Sequence, residues 1–208
     1  MLHPLTVRAT AKSQGEATYI NAHLGQMTTA GFSLHSVGLD VRGGEGRPLP
    51  PVADWHPPHC GDSLMRIARD GTWFHQGTPI GRRELVRLFS TILRKDDDGF
   101  MLVTPAEKVS IAVEDAPFIA VLMHVAGTGP DQRLTFVTNV GDETSAGAGH
   151  PLRFVYHDDA PVPYVHVRGG LEAKLARPVY YQLIDLAMVE ADRLGIWSGG
   201  TFFPLDDA

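Results

Sequence analysis

The sequence predicts an α+β fold, and three observations carry that expectation. Met65–Leu93 reads as a β-hairpin followed by an amphipathic helix, with Asp70-Gly71, a pair favoured in tight hairpin turns, between two β-prone runs. Phe100–Val140 holds short apolar runs separated by short polar turns, the pattern of an antiparallel meander. Pro178–Leu194 carries a broad apolar arc at helical spacing and is followed by Gly195, a favourable helix stop.

Composition bounds the class. The 208 residues are 43% hydrophobic and 20% charged, as in a soluble globular protein. The net charge of -6 argues against non-specific binding of nucleic acid, which needs a basic surface. Cys60 stands alone, so no intramolecular disulfide can form. The longest apolar run, Phe118–Met123, is too short to span a bilayer, and no secretory signal opens the chain. These features predict a cytoplasmic protein that uses no membrane and no nucleic acid.

Residues 1–50 are rich in Gly, Ala, Ser, Thr and His and hold no sustained period. They predict a flexible N-terminal extension, disordered over residues 1–26; Met27 as the true start is set against a genuine flexible arm with a short helix around Gly31–Val41. The folded part is expected from Pro51, divided into a hairpin-helix unit over 51–96 and a sheet-plus-helix unit over 97–205. His56, His59, Cys60 and Asp62 lack the paired spacing of a structural zinc site and read as an irregular lead-in.

In the hairpin, alternation puts Trp73 and His75 on one face and Phe74 on the other. The helix is expected over Gly81–Lys95, with Leu85, Leu88, Phe89 and Ile92 on its apolar face. Arg83, Arg87 and Arg94 lie opposite, as a solvated stripe or as an anion or partner surface. Asp96-Asp97-Asp98-Gly99 is a charged turn. Strands follow over Phe100–Thr104, Lys108–Glu114, Phe118–Val125 and Gln132–Val140. Asn139–Glu143 has turn chemistry and too few regularly spaced oxygens for Ca²⁺.

Tyr164–Arg168 alternates Val165 and Val167 against Tyr164, His166 and Arg168. Gly169-Gly170 then turns the chain into Leu171–Leu175, expected as a short helix. A helix start receives anions, and Arg168 would add a bidentate contact. An ordinary exposed sheet face followed by a glycine turn explains the same residues. No Walker or Rossmann spacing is present. The aromatic tail Ile196–Pro204 is expected to pack on the core, with a homodimer contact as the second reading. An aromatic two residues before a histidine occurs in both Trp73–Gly77 and Tyr164–Gly169, a faint echo of duplication.

Arg66–Ile80, Val103–Lys108, Thr138–Glu143, Tyr164–Gly170 and Trp197–Leu205 together resemble the bacterial domain of unknown function 1285 family. The resemblance spans about Pro51–Leu205. It implies an α+β fold of two related subdomains, the second loosely like a pleckstrin-homology barrel. It also implies a nucleotide-like ligand between them and a signalling role, and it transfers no catalytic residue and no cofactor. Both lines converge on a regulatory protein binding a phosphate-bearing small molecule. Its expected site is Arg168 with Gly169 and Gly170 for the anion, His75 and His166 for hydrogen bonds, and Trp73 or Tyr164 for base stacking. The alternatives are a hydrolase with a histidine base and a protein-binding module. Neither a nucleophile elbow nor a metal pair supports an enzyme.

Overall fold

The computed structural model describes residues 48–157 and 160–205. The N-terminal extension, Met27 and the helix considered over 31–41 lie outside the described residues, apart from residues 48–50. Among the described residues the fold is α+β, with two similar six-stranded sheets, a small three-stranded sheet and two helices.

The first unit opens with β1 (His59–Ile67), β2 (Trp73–His75) and β3 (Thr78–Pro79), an antiparallel meander. Helix α1 (Arg83–Thr91) leads to a second meander, β4 (Leu93–Asp96), β5 (Gly99–Val103) and β6 (Lys108–Val113). The first and last strands, β1 and β6, then pair in parallel and join the two meanders into one sheet. The second unit repeats this plan. β7 (Phe118–Ala126), β8 (Arg133–Thr138) and β9 (Glu143–Ser145) form one meander. β10 (Leu152–His157), β11 (Ala160–Arg168) and β12 (Leu171–Leu175) form the other, and β12 pairs in parallel with β7. Helix α2 (Arg177–Ile184) follows, and β13 (Met188–Glu190), β14 (Arg193–Ser198) and β15 (Thr201–Pro204) make the small sheet.

This topology revises several expectations. Residues 99–113 complete the first sheet, so the units divide after β6 rather than at Asp96-Asp97. The expected four-strand meander is therefore two hairpins in two sheets. Helix α1 stops at Thr91 because Ser90 and Thr91 turn their hydroxyls back onto the carbonyls of Arg87 and Leu88, and residues 93–96 pair with β5 instead. Leu171–Leu175 is strand β12, not a helix. Its burial alternates, with Leu171, Ala173 and Leu175 inside, and long-range pairing on both sides fixes it. The helix expected over 178–194 ends at Ile184, and Ala191 and Asp192, both at positive φ, turn the β13–β14 hairpin. The sequence echo is not the repeat. It falls on β2, the second strand of its unit, and on β11, the fifth of its own; the topological counterpart of β2 is β8.

The core is continuous across both units. Trp73 stacks on Phe89 with ring centroids 6.3 Å apart, and Phe118, Phe136 and Ile196 are fully buried. The aromatic tail packs inward as expected, through Ile196, Phe203 and Leu205. The second sheet curls. Thr144 Oγ1 on β9 donates to the His166 carbonyl on β11 at 3.1 Å, across three intervening strands. No helix among the described residues is long and apolar enough to cross a membrane.

Asp96 ties the first unit together. Its carboxylate receives Arg94 and Lys108, and Arg94 also donates to the carbonyls of Val52 and Trp55 at 2.7 Å each. The Arg94 hydrogen bond first, then Lys108, hold the Asp96 carboxyl down from 3.8 to about 2, against the effect of burial. A carboxyl lowered in the folded state stabilises above its unfolded pKa and loses that contribution as pH falls through the folded value. Stability should therefore fall between about pH 4 and pH 2. Asp96→Asn should cost about 1–3 kcal/mol at neutral pH and flatten that acid limb. Urea unfolding across a pH series measures both; an unchanged acid limb in the variant would refute the assignment.

Candidate ligand-binding site

The residues expected to form the site are separated and mostly committed elsewhere. Trp73 is buried against Phe89, and its indole Nε1 has no partner, so it is a core residue and not a stacking platform. His75 is half-buried on β2, opposite Met65 and Thr78. Tyr164 is buried, its hydroxyl donating to Asp115 at 2.7 Å and its ring lying under Arg153 at 4.6 Å. Burial, reinforced by the bond to Asp115, pushes the Tyr164 hydroxyl up to about 12. Burial pushes the Asp115 carboxyl up, but hydrogen bonds from Lys174 and Tyr164 outweigh it and leave a lowered pKa.

His166 spends its polar atoms within its own unit. Nδ1 lies 3.3 Å from His150 Nδ1, Nε2 accepts the Gly170 N–H at 3.2 Å, and the His150 ring also reaches the His166 carbonyl. Gly169 and Gly170, at φ +51° and +77°, make the turn from β11 into β12, so no helix start faces a ligand there. Arg168 does reach the other unit. It pairs with Asp142, donates to the Ser90 carbonyl at the end of α1 at 2.8 Å, and lies over the Phe118 ring.

A different group of residues lines a cavity between the units. From the first unit come Ile80, Arg83, Glu84, Val86 and Arg87; from the second come Asn139 and Val140. The cavity measures about 290 Å³. Arg83 and Arg87 project from successive turns of α1, and neither guanidinium has an ion-pair or hydrogen-bond partner among the described residues. The Arg87 guanidinium lies over Gly141, whose Cβ, if present, would stand 3.7 Å from Arg87 Cζ. The first turn of α1 has no side-chain cap, and its acidic residue, Glu84, sets a carboxylate against the partial positive charge of that end. Ile80, Val86 and Val140 supply apolar wall.

The far wall is held by Asn139. Its Oδ1 accepts the Ile119 N–H at 3.0 Å, which fixes the 139–142 turn above β7. Gly71 makes the close approach possible. At φ +82° it brings the loop after β1 against the second unit, where a Cβ would meet Ile119 Cγ1 at 2.7 Å and Asn139 Nδ2 at 2.8 Å. The Asp70-Gly71 signal thus serves a turn and an interface together. Sequence reasoning named the arginine stripe as an anion surface but left it out of the site. Arg94 does not belong to that stripe, since it stands on β4 in the Asp96 cluster. Ile80, Glu84, Val86, Asn139 and Val140 were missed; for the last two the Thr138–Glu143 motif was the available signal. No group of three or more metal-ligating side chains occurs among the described residues.

Two six-stranded units of one plan, with a cavity lined from both, define a two-unit α+β protein. The chain belongs to the DUF1285 family. Residues 50–116 match the N-terminal domain of this domain of unknown function, and residues 117–205 match the C-terminal domain of the DUF1285 protein of unknown function. A crystal structure of a DUF1285 family protein from Silicibacter pomeroyi DSS-3 is 54% identical, with a TM-score of 0.75, covering 79% of this chain and 91% of that one. Another, from Shewanella baltica OS155, is 33% identical with a TM-score of 0.47, covering 59% and 91%. No curated protein matches the chain.

Gly71→Ala should lower stability by about 2 kcal/mol, since it combines strained backbone with an interface clash. Thermal unfolding of the variant tests this; an unchanged midpoint would show that the units do not meet there.

Proposed function

We propose that this chain is a regulatory protein that binds a small phosphate-bearing molecule, nucleotide-like in character, in the cavity between its two units. One observation carries the reading: two guanidinium groups with no ion-pair or hydrogen-bond partner among the described residues line a cavity between the units of a net-acidic chain. Arginine without a protein partner is the usual recognition group for phosphate, because its fork matches two oxygens at once. The uncapped first turn of α1 adds N–H donors. The apolar residues of the wall suit a base or another flat group, and interfaces between units are favoured pocket locations. A cavity of about 290 Å³ lies at the small end of ligand sites, which favours a mononucleotide-sized molecule over a dinucleotide. Glu84, also on the lining, offers an acceptor for a hydroxyl or amino group of the ligand.

The proposal moves the anion site from Arg168 to Arg83 and Arg87. A thermal-shift screen of the full chain against nucleotides, nucleotide second messengers and simple phosphates tests it. A ligand of the native state should raise the melting temperature with concentration. Arg83→Glu and Arg87→Glu should each weaken a hit by roughly tenfold or more, since each replaces a charge-assisted contact with repulsion. A flat screen on folded protein, or a hit indifferent to both variants, would overturn the reading.

A further inference from the structure

The cavity has two walls, and one residue outside it touches the elements that carry both. The first wall is α1, through Arg83, Glu84, Val86 and Arg87; the second is the turn after β8, through Asn139 and Val140. Arg168 stands on β11. Its Nη1 pairs with Asp142, two residues beyond Val140 in that turn, and its Nη2 donates to the carbonyl of Ser90, three residues beyond Arg87 on α1. Asp142 is itself locked into the turn, since its N–H donates to Thr138 Oγ1 at 3.0 Å and its carbonyl accepts the Thr138 N–H at 2.8 Å. Ser90 is buried, and its hydroxyl is held on the Arg87 carbonyl at 2.7 Å. A guanidinium is planar, so its two nitrogens fix the separation of the groups they bind. The Phe118 ring beneath it, 5.0 Å from the guanidinium carbon, sets the height of that plane.

We propose that Arg168 is the positioning residue of the interface site. It sets the spacing between α1 and the 139–142 turn, and so the distance between Arg87 and the opposite wall, without touching the ligand. The inference rests on the reading of the cavity as an anion site. It differs from that reading in what Arg168 does: its guanidinium is spent on Asp142 and Ser90, so it holds the site's frame and leaves the anion to Arg83 and Arg87. Lysine cannot replace it, because one ammonium on a flexible stem does not hold two acceptors at a fixed separation.

The test uses the full chain, with inorganic phosphate and adenosine monophosphate as probes. Arg168→Lys, Arg168→Gln and Asp142→Asn are compared by calorimetric titration, each with its own unliganded melting temperature and amide hydrogen exchange. All three variants should weaken binding by a similar factor, roughly tenfold, and the Arg168→Gln/Asp142→Asn double variant should lose no more than either single one. Exchange should rise together at residues 87–91 and 138–142 and stay unchanged in the Asp96 cluster, which a general loss of stability would not spare. Wild-type affinity in folded Arg168→Gln protein would overturn the proposal. So would a loss in Arg168→Gln that Asp142→Asn does not share, which would mark Arg168 as a direct ligand. If wild-type protein takes neither probe, the exchange data still decide whether the brace exists, and the failure belongs to the anion reading.

Discussion

Four residues, Glu114–Pro117, tie the last strand of one sheet to the first strand of the next, and the arrangement of the two units follows from that short tether. In each unit the first and last strands pair in parallel at the middle of the sheet, so β6 and β7 are both interior strands. A short link between two interior strands cannot let the units drift apart. Each also grips the link. Glu114 is held by Arg66 and by the Arg69 N–H from the first unit, while Asp115 is held by Lys174 and Tyr164 from the second. The charges on the link are thus paired on both sides. The apolar faces brought together by the tether bury one continuous core, in which Trp73 and Phe89 share a cluster with Phe118 and Val140.

Legibility in the sequence followed the range of the interactions involved. The first hairpin, the start of α1 and the strands from 99 to 138 were readable because their periods and turns are local. The Leu171–Leu175 stretch was not, because five residues fit a helical turn and a strand about equally well. What decides is pairing with β11 on one side and β7 on the other, and β7 lies about fifty residues away. The same holds after Ile184, where alanines at 187 and 191 extend the helical arc on paper. The chain instead turns through Ala191 and Asp192 in left-handed backbone to make a hairpin. The duplication was real at the level of topology, while the residues that suggested it sit on strands that do not correspond.

The site shows the same division. Tyr164, His166 and Arg168 were correctly read as alternating with Val165 and Val167, which are core residues. Alternation gives the face of a strand but not what covers it. Here the second unit's own curl and the first unit's helix cover it: Asp115 takes Tyr164, His150 and Gly170 take His166, and Asp142 and Ser90 take Arg168. Polar residues that look free on a strand are all engaged, and one of them, Arg168, fastens the two units together. Arg83 and Arg87 were legible as a basic surface, because a four-residue spacing on a helix does not depend on distant partners.

Helix α1 joins these observations, because its two ends are treated differently. A helix of nine residues leaves orphan N–H groups at its start and orphan carbonyls at its end. At the end, Arg168 supplies a cation to the Ser90 carbonyl, the favourable sign for that terminus. At the start, no side chain caps the helix, and the first two turns present Arg83 and Arg87 to the cavity. An anion placed there would meet the two guanidinium groups, with the Glu84 carboxylate of the first turn beside them. The uncapped terminus and the two arginines, which have no partner among the described residues, are then parts of one helix, fixed at its C-terminal end by the second unit and carrying both cations and Glu84 where the two units meet.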